Sequence, residues 1–332
     1  FGLLLLCFGL GSIVAMPLTG FVAARHGPRS MMLLGGFGLI IFLPTLTMAE
    51  TTFVLGSLLF LFGASLGTID VAMNIHGVAV EAQEDRSLMS NFHAQFSIGG
   101  LFGAGLMTLL LSVGVPLVMT AVIGATLALL AMLLTIPRLL HVKVAKQSRF
   151  VFPHGIVLLL GLLAAIAFLV EGAVLDWGAL LIIERQLTTP QSAGVGYILF
   201  SAAMVIARLT GDRIVAALGE LWVLILGGII TILGIATTLV ANLPLVALGG
   251  FVLIGLGSAN LVPIFFSAAG RQALMPASLA IASVTTIAYA GVLVGPAMIG
   301  FAADLMSLPM AFWLLALLIA CVPFTAFLVT KH

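Results

Sequence analysis

The sequence predicts an all-α polytopic membrane protein, and three observations carry that expectation. Charged residues make up 7% of the 332-residue chain and hydrophobic ones 62%, whereas soluble domains carry about 25% charged residues. The apolar residues come in continuous runs of the roughly 20 that a spanning helix needs, not in the alternation of a transmembrane barrel. The remaining basic residues sort to one side of the runs once the chain is threaded back and forth.

Polar punctuation divides the sequence into eleven apolar segments, near 1–23, 30–49, 53–80, 88–113, 116–137, 154–181, 191–210, 221–241, 244–269, 278–303 and 309–330. Short turns marked by proline or asparagine separate several of them, as at Pro116, at Asn242-Leu243-Pro244 and at Pro309. The first segment follows Phe1 with no methionine and no basic leader region, so it reads as a span and not as a signal peptide. With a crossing at every segment, Arg25, Arg29, Arg86, Arg138, Lys143, Lys146, Arg149, Arg208, Arg213, Arg271 and Lys331 share one side and Arg185 takes the other. Lys and Arg are enriched in cytoplasmic loops, which makes that crowded side cytoplasmic, together with the C-terminus and the basic stretch 138–153. The first visible helix then runs inward, so one further helix is expected before it: 11 of an expected 12 are present and the first is missing. Trp177, Trp222 and Trp313 fall near segment ends, where indoles favour the headgroup level.

The chain also repeats itself. Residues 19–36 (TGFVAARHGPRSMMLLGG) and 210–228 (TGDRIVAALGELWVLILGG) share a Thr-Gly start, a later glycine and a Gly-Gly pair, at an offset of about 191–192 residues. GTIDVAMN (67–74) and GSANLVPI (257–264) place Asp70 against Asn260 at an offset of about 190. Duplicated halves are how many secondary transporters are built. The expected organisation is an N-terminal half over 1–137, the linker 138–153 and a C-terminal half over 154–332.

GFVAARHGPR (20–29) resembles the signature that the major facilitator superfamily carries between its second and third helices, G-x-x-x-D-[RK]-x-G-[RK]-[RK]. Gly20, Arg25, Gly27 and Arg29 match it, while Ala24 stands in place of the aspartate and Pro28 in place of a basic residue. EGAVLDWGALLI (171–182) and GYILFSAAMVIARLTGDR (196–213) are similar to the rhizopine-transporter-like (MosC-like) branch, itself close to fucose-permease-type carriers. In the latter an acid precedes an asparagine by four residues, a spacing that Asp70 and Asn74 keep. The resemblance implies the major facilitator fold, two pseudo-symmetric six-helix halves, and a transmembrane carboxylate concerned with proton coupling or substrate binding. It also makes Gly20, Arg25, Gly27 and Arg29 gate candidates.

Asp70 is the leading site candidate. It lies ~25 Å along its helix from the outer boundary, still within hydrocarbon, and an aspartate at a helix centre costs about 2.5–3.5 kcal/mol to insert. Gly63, Gly67, Asp70, Asn74 and Gly77 share one helix face, which is expected to border a cavity. An acid that keeps its proton in apolar surroundings and releases it to water can couple protons to conformational change. His93, about two turns in from the cytoplasm, is either a proton-relay or gating partner or a packing histidine; His76 is read as packing. Glu171 is a cavity candidate and Asp176 a gate or structural group, and the two do not share a face. Arg208 and Asp212, four residues apart, are expected to form an intrahelical ion pair. Asn260, Thr285 and Tyr289 either line the cavity or hydrogen-bond between helices. Asn74 and Asn260 suit a polar solute, since an amide both donates and accepts.

The favoured reading is a proton-linked carrier of a small polar solute (sugar-like, a polyol or a related metabolite), working by alternating access in a bacterial inner membrane as a monomer. The alternative is a proton-driven exporter of amphipathic compounds, for which Phe265 and Phe266 offer apolar walls. An intramembrane enzyme is disfavoured: no zinc-protease motif, paired aspartates or nucleophile with a base is present, and neither is a nucleotide-binding loop. A sensor would normally carry a soluble signalling domain. No cofactor, metal, nucleic acid or obligate protein partner is implied; the expected partners are the solute, protons and the lipid bilayer. Cys7 and Cys321, each inside an apolar segment, are read as small core residues.

Overall fold

A computed structural model describes residues 2–141, 151–189 and 192–331. Among them all regular structure is helical. The helices are α1 (Gly2–His26), α2 (Pro28–Leu46), α3 (Thr52–Glu84), α4 (Met89–Ser112), α5 (Leu117–Thr135), α6 (Ile156–Glu184), α7 (Val195–Leu218), α8 (Glu220–Val240), α9 (Pro244–Ser258), α10 (Leu261–Arg271), α11 (Ala277–Leu305), α12 (Leu308–Ile319) and α13 (Cys321–Thr330), with a 3₁₀ turn at Ile136–Arg138.

Among the described residues ten stretches are long and apolar enough to cross a membrane, with α9–α10 and α12–α13 each counting as one. α7 is of similar length but carries Arg208, Asp212 and Arg213 inside it. Eleven segments therefore correspond to the eleven expected, with two corrections. The segments expected at 244–269 and 309–330 are each broken, after Ser258 and after Ile319. Each break lies shortly before a proline, Pro263 or Pro323. Proline lacks the N–H that would bond the carbonyl four residues back, and its ring pushes that carbonyl aside. The linker expected at 138–153 lies partly outside the described residues, at 142–150.

The contacts group into two compact units. One comprises 1–83, 96–153 and 274–286, and the other 84–95, 154–273 and 287–332. In the first, Gly63 of α3 backs onto the Phe8 carbonyl of α1, and Thr19 donates to Thr68 across the same seam at 3.2 Å. Arg29 of α2 reaches the Ile136 carbonyl at 3.3 Å and His141 beside it, and the Leu140 N–H donates to His76 at 2.9 Å. His76 is thus a packing histidine, accepting through Nε2 and therefore neutral.

The second unit repeats these contacts 192 residues on. Gly255 backs onto the Phe200 carbonyl as Gly63 does onto Phe8, and Gly211 meets Asn260 where Thr19 meets Thr68. Gly35 lies against Ser65 and Ile69, and Gly227 against Gly257 and Leu261. Gly27 and Gly219 turn the chain in the same conformation, φ 82°, ψ 158° and φ 79°, ψ 153°; only glycine enters that region without strain. Packing therefore sets Asn260 opposite Thr68, and Asp70 opposite Val262. The pairing of Asp70 with Asn260 at an offset of about 190 is corrected by two residues.

Arg185, the basic residue expected on the minority side, donates to the Thr238 and Ala241 carbonyls. It caps the C-terminal end of α8, where unpaired carbonyls attract a cation. Trp222 and Trp313 are exposed as expected of belt residues, but Trp177 is half-buried, with its ring against Gly300 of α11.

Candidate functional site

Two polar sites are built into the helices, one in each unit. The first centres on Asp70 of α3, which is buried. Among the described residues no hydrogen bond or ion pair reaches its carboxylate. Asn74 does not face it: the Asn74 amide donates to the main-chain carbonyl of Asp70 at 2.9 Å, along its own helix. Gly63 and Gly67 of the small polar stripe are packed against α1, so that part of the face is a helix–helix seam and borders no cavity. Thr285 of α11 belongs to the same unit; it is fully buried and its hydroxyl is spent on the Ile281 carbonyl at 2.8 Å.

The second site is a network on α7. Arg208 is buried and donates from Nη2 to Oε1 of Glu171 on α6 at 3.0 Å. Its Nε donates to the Ala259 carbonyl at 3.1 Å, at the break between α9 and α10. One turn on, Asp212 accepts from the Ser90 and Asn91 main-chain N–H groups, both at 3.0 Å, and from the Asn91 amide. These N–H groups belong to the first turn of α4, where helix donors lack intrahelical partners and the macrodipole favours an anion. The expected Arg208–Asp212 ion pair is therefore wrong: each charge leaves α7 for a different neighbour. An intrahelical pair would leave both the carbonyl at Ala259 and the first turn of α4 without partners.

Asn260 completes the network. Its amide donates to the Ala207 carbonyl at 3.4 Å, and its Oδ1 is buried against Gly211 without a donor. His93 of α4 stacks on Phe266 of α10, ring centroids 5.6 Å apart. Asp176 is exposed, and Tyr289 is half-buried on the part of α11 that belongs to this unit. In the signature stretch, Arg25 is exposed and lies over the Phe21 ring at 4.1 Å, and Gly20 lies against Ser278 and Ala282 of α11.

The sequence did not announce the first-turn amides at Ser90 and Asn91, nor the carbonyl of Ala259, because main-chain groups carry no residue signature. The second had a readable signal, Pro263 four residues beyond Ala259. No group of three or more His, Cys, Asp or Glu able to hold a metal occurs among the described residues.

Known proteins resemble the chain along nearly all of its length. The profile of the Major Facilitator Superfamily matches residues 1–273. The chain belongs to the major facilitator superfamily. An uncharacterized MFS-type transporter of Yersinia pestis is 45% identical over 334 residues, covering 99% of this chain and 86% of that protein. The membrane protein MosC of Rhizobium meliloti is 30% identical over 310 residues, covering 92% and 76%. Among solved structures, the Escherichia coli fucose:proton symporter FucP superposes with a TM-score of 0.79 at 16% identity, covering 100% of this chain and 91% of that one. The human organic anion transporter MFSD10 gives 0.80 at 17% identity, covering 98% and 83%. This major facilitator chain is thus a multi-pass membrane transporter with the fold its glycine signature and repeats led one to expect.

Proposed function

We propose that this transporter is a secondary carrier of a small polar solute, sugar-like or a polyol, coupled to protons and working by alternating access. The observation that carries the reading is Asp70: a carboxylate buried in a spanning helix, with no protein donor or cation on it among the described residues. Such a group needs something to offset about 2.5–3.5 kcal/mol, and a proton or a solute hydroxyl would do so. Glu171 is the second solute-facing candidate, since its side chain is 20% exposed while its partner Arg208 is 6% exposed. FucP, whose fold the chain shares, is a fucose:proton symporter, which agrees with this direction. In the first unit Gly20, Arg25, Gly27 and Arg29 are gate residues, and in the second unit Asp212 is a gate residue and His93 a proton-relay residue. Tyr289 is kept as a lining residue, and Asn74, Asn260 and Thr285 pack helices. The carrier is a monomer of two halves, 1–137 and 154–332, in a bacterial inner membrane, with 138–153 and the C-terminus cytoplasmic.

A second reading, export of amphipathic compounds, draws on an apolar groove of about 680 Å³ along α1 and α3, lined by Leu4, Cys7, Phe53, Gly56, Phe60 and Leu61. Asp70 does not line this groove, which is why polar transport is preferred.

The test is thermal melting of the full-length protein with sugars, polyols, organic acids and cationic drugs, in mildly acidic and mildly alkaline buffer. A polar solute should raise the melting temperature in a pH-dependent way, and Asp70→Asn should abolish that dependence. Stabilisation by apolar cations alone would transfer the assignment to export. A polar ligand that stabilises wild type and Asp70→Asn identically at both pH values would remove Asp70 from the mechanism.

A further inference from the structure

A spanning helix that contains proline loses one main-chain hydrogen bond, and the carbonyl left behind must find another donor or stay unpaired inside hydrocarbon. In α9–α10 the proline is Pro263 and the carbonyl four residues back is that of Ala259. The chain is broken there: Ala259 and Asn260 lie between the two helices, Asn260 at φ −103°, ψ 0°. Helical bonding resumes with the Ile264 N–H on the Asn260 carbonyl at 3.3 Å. The donor that reaches the Ala259 carbonyl is the Nε of Arg208, at 3.1 Å and fully buried. A guanidinium can do this because its fork offers several donors in one plane. While Nε holds the carbonyl, Nη2 is held by Glu171 at 3.0 Å.

We propose that Arg208 is a positioning residue that sets a hinge in α9–α10, its guanidinium replacing the hydrogen bond deleted by Pro263 and its aim fixed by Glu171. The hinge has a handle, because Glu171 is the less buried member of the pair. Anything that takes the Glu171 carboxylate loosens the hold of Arg208 on Ala259 and frees α10 to swing relative to α9. Pro263 supplies the freedom and Arg208 the restraint. Asn260 limits the motion from the other side through its bond to the Ala207 carbonyl, one residue before Arg208 on α7. The hinge does not depend on the solute class proposed above; its use in transport does, and the two fail separately.

The experiment is hydrogen–deuterium exchange of the full-length protein in lipid nanodiscs, followed in peptides covering 258–267. Arg208→Gln should speed exchange at the break roughly tenfold, the effect of about one lost hydrogen bond. Glu171→Gln should give a smaller rise in the same peptides. Adding Pro263→Ala to either variant should restore slow exchange, because the new N–H at 263 can take the Ala259 carbonyl itself. A purely structural role in packing or charge balance would not be rescued at that distance in sequence. Pro263→Ala alone, which keeps every buried charge paired, should slow exchange below wild type, and it serves if Arg208→Gln does not fold. Unchanged exchange in Pro263→Ala, or an Arg208→Gln effect that Pro263→Ala leaves in place, overturns the proposal.

Discussion

The contact of Asp212 with Ser90 on α4 and that of Gly20 with Ala282 on α11 occupy the same place in the repeat, since 20 and 212, like 90 and 282, differ by 192. One is an electrostatic cap and the other a close approach of two backbones. At the α4 junction a buried carboxylate accepts from two main-chain N–H groups and the Asn91 side chain. At the α11 junction a glycine lets α1 press against the Ser278 carbonyl and the Ala282 side chain. A duplicated packing register has kept its geometry while its chemistry diverged. The cap is directional and charge-dependent; the glycine contact is short-ranged and indifferent to charge. The two junctions should therefore respond differently to substitution.

Asp212→Ala is the most disruptive change expected. It leaves the Ser90 and Asn91 donors without an acceptor in a buried place, and the cost should be about 2–4 kcal/mol. Asp212→Asn, which keeps one acceptor oxygen, should recover about half of that loss. Thermal melting of both variants checks this, and equal melting temperatures for Asp212→Ala and wild type would mean the cap contributes nothing to the folded state.

Gly20→Ala should cost less, about 1–3 kcal/mol, since a Cβ there overlaps Ala282 and stands 3.0 Å from the Ser278 carbonyl. Its effect should be the same in low and high salt. The loss in Asp212→Asn should shrink little with salt as well, because the cap is buried and screened weakly. If Gly20→Ala melts as wild type does, α1 and α11 have room to separate and the junction is not tight.

Much of this fold was legible, and the limits of legibility have physical reasons. Eleven segments follow from composition, because lipid demands long apolar helices and little else is allowed. Gly27 and Gly219 were visible as repeat marks, and their shared positive φ explains why both are glycine. The breaks after Ser258 and Ile319 were not placed, although Pro263 and Pro323 stood in plain sight. A membrane helix often absorbs a proline, as α1, α2 and α11 absorb Pro17, Pro44 and Pro296. At the sites, sequence spacing found the right residues and the wrong partners. Arg208 and Asp212 are correctly spaced for each other on α7, yet helix ends and orphaned carbonyls elsewhere bid more strongly, and spacing along one helix says nothing about those.

Asp70→Asn should have the smallest effect on stability, and that is its value as a contrast with Asp212. No donor among the described residues depends on the Asp70 carboxylate, so exchanging it for an amide strands nothing. Asparagine is near in volume, and it avoids the cost, about 2.5–3.5 kcal/mol, of an aspartate at a helix centre. The variant should melt no more than about 1 kcal/mol below wild type, since no buried donor is left unpaired. Asp212→Asn should be destabilised, since one of the oxygens that the α4 donors use is taken away. A buried carboxylate whose removal leaves stability intact while pH-dependent solute binding disappears is one kept for the transport cycle. A loss of stability in Asp70→Asn comparable to that in Asp212→Asn would mean that Asp70 has a structural partner, and the contrast between the two acids would collapse.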